Sequence, residues 1–376
     1  MKLLIVAGGG GHFSPALAVI NELPKSWDVL VVGRKYTFEG QDTLSFEFQT
    51  AQKMGIPFRA LTTGRLQRKF TAHTFASLLK VPIGVMGAIG VIREYKPDVV
   101  LSFGGYVSVP VVVAASMMRV PIIIHEQVLG AGLANKFAAR FADKVCISWK
   151  ESERYFPKEK IVLTGNPVKK FSISNVKFQM SNENLPVLYI TGGSGGAHAI
   201  NVLMEGCLDK LLEHFIVIHQ TGDAKEFGDF ERLEKIRENF SEKIKHRYVV
   251  RKFVEPSEVF GIMHHADLVI SRSGVNTVTE LLYVGKPCIL IPLPYGQRNE
   301  QLENALFVQR TGLGVVAEQN SLTSEKLYQL ILSMMEKIDE YKKHSAGAKK
   351  LVNPRAAEKI IEVVSSIYEQ KTVKTA

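Results

Sequence analysis

The sequence predicts an α/β protein of two domains, each a parallel sheet flanked by helices. Three observations carry that prediction. Apolar strand-like runs alternate with helical patterns along the whole 376-residue chain. Two of the runs end in glycine clusters: residues 2–7 (KLLIVA) precede Gly8-Gly9-Gly10-Gly11-His12, and residues 187–191 (VLYIT) precede Gly192-Gly193-Ser194-Gly195-Gly196. Each cluster opens one half of the chain, and each reads as a buried strand, a tight turn and a helix. Glycine lets backbone N–H groups approach a phosphate, and a helix N-terminus favours negative charge, so two nucleotide-type domains facing a shared cleft are expected.

In the first half, apolar runs bounded by turn residues predict strands over 2–7, 28–32, 98–102, 121–125 and 144–147. The helical period predicts helices over 14–23, 73–95, 108–118 and 131–141. In the second half the same reading gives strands over 187–191, 215–219, 247–250, 268–270 and 288–291. Helices follow over 197–212, 228–239, 257–264, 276–284, 300–310 and 323–335. Residues 171–185 are polar and lack period, and they read as a linker between a domain at 1–170 and a domain at 186–353. A last helix over 354–370, with Ile360, Ile361, Val364 and Ile367, is patterned to pack on something, the first domain included.

Composition narrows the function classes. The chain is 46% hydrophobic and 22% charged, which is globular. Its three cysteines, Cys146, Cys207 and Cys288, show neither CxxC nor zinc spacing, which fits a reducing compartment without a disulfide framework. Lys2 enters a strand at once, with no leader pattern, and no apolar stretch is long enough to span a bilayer. The net charge is +10. Residues 1–170 hold 22 Lys and Arg against 12 Asp and Glu, whereas 171–376 hold 25 of each. All the excess is therefore in the first half. It suits an acidic membrane surface better than nucleic acid, because no nucleic-acid-binding motif accompanies it.

The glycine loops do not fit a dinucleotide enzyme. After Gly11 the chain runs His12-Phe13-Ser14-Pro15 without a third spaced glycine, and the second strand ends in Gly33-Arg34 rather than an acid. No GxxxxGK[ST] is present either. Further site-like segments follow other strands. Residues 270–280 (ISRSGVNTVTE) offer N–H groups and hydroxyls at a helix start, with Glu280 placed to accept from ribose hydroxyls. Residues 292–305 are dense in Gln, Asn and Glu, which suits a sugar. Residues 102–108 (SFGGYVS) and 124–127 (IHEQ) follow strands of the first half, and with His12 they bring two histidines and Glu126 to one rim.

These stretches together resemble the MurG-type glycosyltransferases. The resemblance rests on AGGGGHFSPALA, YKPDVVLSFGGYVSVP, HEQ, AGLANK, TGNPV, TGGSGGAHAIN, ADLVISRSGVNTVTE and QLENA, in order over residues 3–310. It implies a GT-B architecture of two Rossmann-like domains. It also implies transfer of N-acetylglucosamine from UDP-N-acetylglucosamine to lipid I, a polyprenyl-diphosphate-linked muramoyl-pentapeptide, giving lipid II for peptidoglycan. The enzyme would be peripheral on the cytoplasmic face of an anionic membrane. By the same resemblance Val254 meets uracil and Glu280 the ribose. Ser194 and Val275, Asn276 and Thr277 meet the diphosphate, Glu300 and Gln301 read the sugar, and Gly10, Gly11 and His12 face sugar and acceptor.

Four positions depart from the family pattern. The first glycine loop is one residue shorter than the usual AGGTGGH. Val128 stands where Asn follows HEQ, Lys169 where Arg ends GNPVR, and Glu300 where the first of two glutamines stands. These departures bear on the sugar and the acceptor, and a related lipid acceptor or UDP-sugar 2-epimerase chemistry are the alternatives. His12 is the first candidate for the base, with Glu126 and His125 next. With no Asp-x-Asp pair, neither metal nor cofactor is expected. The leaving diphosphate would be met by helix N-termini, Ser194 and Lys169. The basic and apolar residues from Arg65 to Met86, with Met117, Met118 and Arg119, are the candidate membrane surface.

Overall fold

The computed structural model describes residues 1–36, 43–64, 72–168, 183–193, 195–224, 226–295 and 299–375. The chain divides into two compact units, Met1–Lys169 with Asn353–Ala376, and Lys170–Val352.

In the first unit the order is β1 (Lys2–Val6), α1 (Gly10–Ile20), β2 (Asp28–Gly33), α2 (Phe46–Lys53), β3 (Phe58–Ala60) and α3 (Ala72–Tyr95). It continues with β4 (Val99–Ser102), α4 (Ser108–Met117), β5 (Ile122–Glu126), α5 (Leu133–Ala138), β6 (Lys144–Ile147) and β7 (Ile161–Leu163). The second unit holds β8 (Val187–Thr191), α6 (His198–Glu205), α7 (Leu208–His214), β9 (Ile216–Gln220), α8 (Asp229–Glu238), α9 (Glu242–Lys245), β10 (Tyr248–Arg251) and α10 (Pro256–His265). Then come β11 (Leu268–Ser271), α11 (Val275–Val284), β12 (Cys288–Leu290), α12 (Glu300–Arg310), β13 (Gly314–Val316), α13 (Ser324–Glu336), α14 (Ile338–Lys343) and α15 (Ser345–Lys349). The final helix, α16 (Ala356–Thr375), returns to the first unit.

Both sheets are parallel, in the orders β3-β2-β1-β4-β5-β6-β7 and β10-β9-β8-β11-β12-β13. Central parallel strands are covered on both faces, which is why β1 and β8 read as continuous apolar runs. Alternation then divides the first unit's core in two. Leu4, Val6, Val100 and Ile124 face α3 and α4, while Leu3, Ile5, Leu101 and Ile123 face α1 and α16. Ile360 and Val364 of α16 are fully buried there, and burying each such side chain is worth roughly 1.5–3 kcal/mol. Asn353 Nδ2 donates to the Thr164 carbonyl at 2.7 Å, tying the returning chain to the segment by which the first unit is left.

Strand order reverses between β1 and β4 in one sheet and between β8 and β11 in the other. Open α/β sheets bind ligands beyond the carboxyl ends of their strands at such a reversal, and each glycine cluster sits at one.

Several elements differ from the sequence expectation. Helix α1 begins at Gly10 rather than at residue 14, so His12 stands in its first turn. Helix α3, by contrast, runs unbroken through Pro82 as expected over 73–95, and the buried Gly84 lets it approach closely: a Cβ there would come within 2.4 Å of Thr63 Oγ1. The single helix expected over 197–212 is two, broken after Glu205. Strands β3, β7 and β13, of three residues each, and helices α2, α9, α14 and α15 were not expected.

Candidate active site

The rim of the first unit is built where β1, β4 and β5 end. Gly8 N–H donates to the Gly104 carbonyl at 3.1 Å. Gly105 lies so close that a Cβ would sit 2.6 Å from the Gly8 carbonyl oxygen, and its φ of +85° is one that side chains avoid. The two glycine turns thus touch backbone to backbone. Gly9 N–H donates to Glu47 Oε1 at 3.0 Å, and Arg34 Nε donates to the same oxygen at 2.9 Å. Two N–H groups of the first loop are therefore used inside the protein, not offered to a ligand. Gly11 is exposed, and a Cβ on it would meet nothing within 4 Å.

His12 is half-buried, and its Nδ1 lies 3.1 Å from Gln127 Nε2. Burial lowers its pKa below the usual 6.5, and nearby Arg34 adds to that, while the Phe103 carbonyl and Glu47 oppose it. The imidazole is neutral at pH 7, which suits a proton acceptor.

The two alternative bases are employed otherwise. Glu126 is buried, and its Oε1 accepts from Val128 N–H at 3.1 Å. Its Oε2 accepts from Gly132 N–H at 2.9 Å and from Asn135 Nδ2 at 3.1 Å. Those donors fix the loop between β5 and α5, so the carboxylate acts as a positioning group. His125 is fully buried, with Nε2 3.2 Å from both the Gly165 carbonyl and Ser148 Oγ, and burial pushes its pKa down to about 4.

In the second unit the glycine turn packs against the loop after β9. A Cβ on Gly196 (φ +74°) would lie 2.1 Å from the Thr221 carbonyl oxygen, so only glycine fits. Gly193 and Gly195 face open space. Helix α11 starts at Val275 behind Gly274, a residue with no side chain to cap it. Val275 is buried, and Asn276 and Thr277 are half-buried on the first turn. Glu280 lies further along α11, half-buried, and desolvation raises its pKa to about 7.

Val254 follows β10 and is 4% exposed. Glu300 and Gln301 open α12. Gln301 Oε1 accepts from Leu293 N–H at 2.9 Å, which fixes the amide so that its NH2 points away from Leu293 N–H. Val275, Glu280, Glu300 and Gln301 thus stand at or after the carboxyl ends of the neighbouring strands β11 and β12. Lys169 and Ser194 lie outside the described residues, as do 65–70 and 171–182. Glu47 escaped the sequence reading, which had Arg34 and Gln127 at strand ends but not their contacts with Glu47 and His12. Glu47 sits on an unexpected helix 38 residues from Gly9, and no local pattern links the two.

Two parallel α/β units, each with a glycine turn at its strand reversal, define a GT-B fold. The model of the glycosyltransferase family 28 N-terminal domain matches residues 3–147, and that of the family 28 C-terminal domain matches 187–360. The chain belongs to glycosyltransferase family 28. A relative from Desulforamulus reducens is 34% identical over 99% of this chain and 100% of its own. It is named UDP-N-acetylglucosamine–N-acetylmuramyl-(pentapeptide) pyrophosphoryl-undecaprenol N-acetylglucosamine transferase. A Bacillus cereus protein of the same name, numbered 2, is 32% identical over 97% of this chain and 99% of its own. Among solved structures, Acinetobacter baumannii MurG has a TM-score of 0.71 at 24% identity, covering 97% of this chain and 100% of that one. The Neisseria meningitidis UDP-GlcNAc 2-epimerase bound to UDP-GlcNAc has a TM-score of 0.64 at 16% identity, covering 97% and 100%. At those identities both show the fold alone.

Proposed function

We propose that this protein transfers N-acetylglucosamine from UDP-N-acetylglucosamine to the muramoyl-pentapeptide of lipid I, forming lipid II. The observation that carries this reading is the 34% identity, over nearly the whole of both chains, to a transferase named for that reaction. The donor is assigned to the rim of the second unit. Ribose hydroxyls donate to Glu280, the diphosphate meets the uncapped start of α11 together with Ser194 and Lys169, and the sugar faces Glu300 and Gln301. Gly10, Gly11 and His12 serve the acceptor.

In the reaction the acceptor hydroxyl attacks the anomeric carbon. A new C–O bond forms with inversion, and the bond to the diphosphate oxygen breaks. UDP leaves with the electron pair, and the hydroxyl proton passes to His12. Helix N-termini meet the charge that develops on the diphosphate.

The test is UDP release from UDP-N-acetylglucosamine with and without a short-chain lipid I analogue, following both products. Release only with the analogue, giving a disaccharide-linked lipid, is expected. Donor turnover without acceptor would overturn the reading in favour of epimerisation or hydrolysis. Val128, where the family has Asn, makes the comparison with a diacylglycerol acceptor informative.

The acceptor is a lipid, and the first unit carries the surface to meet it. Among the described residues no helix is long and apolar enough to cross a membrane. Ile83 and Met86 of α3 are 56% and 64% exposed, and Met117 at the end of α4 is 66% exposed. Arg93 and Arg119 are exposed on or just after these helices. Exposed apolar and basic side chains carried by the same two helices and their ends suit an anionic headgroup layer. Binding to phosphatidylglycerol vesicles is expected, weakening as salt rises, with Ile83→Ser and Met86→Ser reducing it. Equal binding to neutral vesicles in a flotation assay would count against this surface.

A further inference from the structure

Where β11 ends, two buried side chains reach across to the elements that follow β12. Arg272 is 9% exposed and has no carboxylate partner among the described residues. Its guanidinium is used on uncharged oxygens: Nη1 donates to the Ile291 carbonyl at 3.0 Å and to the Pro292 carbonyl at 3.3 Å, and Nη2 donates to Gln319 Oε1 at 2.7 Å. Burying a full charge to hold carbonyls is costly, and the planar fork is what lets one side chain hold three acceptors on two separate loops. Ser273, fully buried, donates from Oγ to the Gln301 carbonyl at 2.7 Å. Asn304 Nδ2, one turn along α12, donates back to the Ser273 carbonyl at 3.0 Å.

The web closes on the side chain proposed to read the sugar. Arg272 holds the chain at Ile291 and Pro292, and the next residue, Leu293, gives its N–H to Gln301 Oε1. Ser273 holds the backbone of Gln301 itself. Both the main chain and the amide plane of Gln301 are therefore set from the two residues that precede Gly274 and the start of α11.

We propose that Arg272 and Ser273 are positioning residues for sugar selectivity, coupling the diphosphate turn at Gly274 to the orientation of Gln301. This rests on the donor reading above. The turn that receives the diphosphate and the amide that faces the sugar then form one rigid template, with Gln301 limited to donating from its NH2. A sugar whose hydroxyl oxygen points elsewhere, such as the C4 epimer, finds no donor there. Loosening the web lets the amide rotate and blunts that discrimination while the nucleotide contacts stay in place.

The experiment is calorimetric binding of UDP, UDP-N-acetylglucosamine and UDP-N-acetylgalactosamine to wild type, Arg272→Gln, Arg272→Lys and Ser273→Ala. Binding needs no acceptor, so it reads selectivity apart from turnover. In the variants, UDP affinity is expected to change less than about twofold, while the preference for the gluco sugar falls by about tenfold, equivalent to about 1.4 kcal/mol. Arg272→Lys, which reaches fewer acceptors, is expected to fall between. Should Arg272→Gln fail to fold, Ser273→Ala carries the same test, because it removes one hydroxyl and no charge. Equal weakening of all three ligands would overturn the proposal in favour of a purely structural role, as would unaltered preference. A wild-type protein that binds UDP but neither UDP-sugar would overturn the donor reading itself.

Discussion

Replacing His12 with alanine is expected to lower kcat by about 10²–10⁴-fold, the usual contribution of a positioned base, while UDP affinity stays within about twofold. The imidazole stands in the first turn of α1 with Nδ1 against Gln127, and the donor contacts proposed on α11 and α12 belong to the other unit. Loss of the ring therefore removes the proton acceptor and leaves the nucleotide site alone. The pH profile carries an independent check. Burial holds the His12 pKa below 6.5, so the neutral, basic form prevails through pH 7. At saturating donor, kcat is expected to fall only as pH drops beneath that value, and the acid limb assigned to His12 should be missing from the residual kcat of His12→Ala. A variant with undiminished turnover would remove His12 from the mechanism. Glu126 then offers no ready substitute, since its carboxylate already accepts from Val128, Gly132 and Asn135.

The second large effect belongs to Glu280. Desolvation raises its carboxyl pKa from 4.5 to about 7. The charged form accepts ribose hydroxyls best, so donor binding should strengthen as pH rises through about 7 and weaken below it, by up to about tenfold per pH unit for one linked proton. UDP-N-acetylglucosamine is the ligand to use, because its esterified diphosphate does not titrate in this range. Glu280→Gln should bind it about 10–100-fold more weakly at pH 8, the value of a charge-assisted bond or two, and with no pH dependence from this group. Stability moves the opposite way. A carboxyl whose folded pKa lies above its unfolded pKa contributes stability below the unfolded value and loses it as pH rises through the folded one. Glu280→Gln should therefore raise Tm at about pH 8 and leave it unchanged near pH 4. Calorimetry and thermal melts at the two pH values read both effects. A wild-type affinity that does not vary with pH would overturn this reading of Glu280.

Opposite effects on binding and stability are what a site residue held against solvation produces. The web around Gln301 has the same character, since Arg272 is buried to hold backbone oxygens instead of a counter-ion.

The α/β class and the two glycine turns were legible because central parallel strands are covered on both faces and must be apolar throughout. Residues 2–6 and 187–191 have no other reading. Helices with wide apolar faces, such as α11 and α13, were legible for the same reason. Short edge elements were not, because a three-residue strand like β7 carries no period. Helix α3 was legible too, over 73–95, but packing decided why Gly84 stands in it, since a Cβ there would come within 2.4 Å of Thr63 Oγ1. The glycine run that becomes the first turn of α1 was not legible as helix, because glycine is a poor helix former.

For the site, the sequence by itself determined which residue types stand at the strand ends, because each follows a buried run directly: His12 after β1, Glu126 at the end of β5, and the start of α11 after β11. Only the tertiary structure decided what each one does there. It gave Glu126 to the loop beyond β5 and His125 to the interior, and it brought Glu47 and Gln127 to the first glycine loop from 38 and 115 residues away. The reason is physical. Burial along a strand follows from its own composition, whereas a hydrogen-bond partner, and the desolvation that shifts Glu280, belong to neighbours that come together only when the sheet is formed.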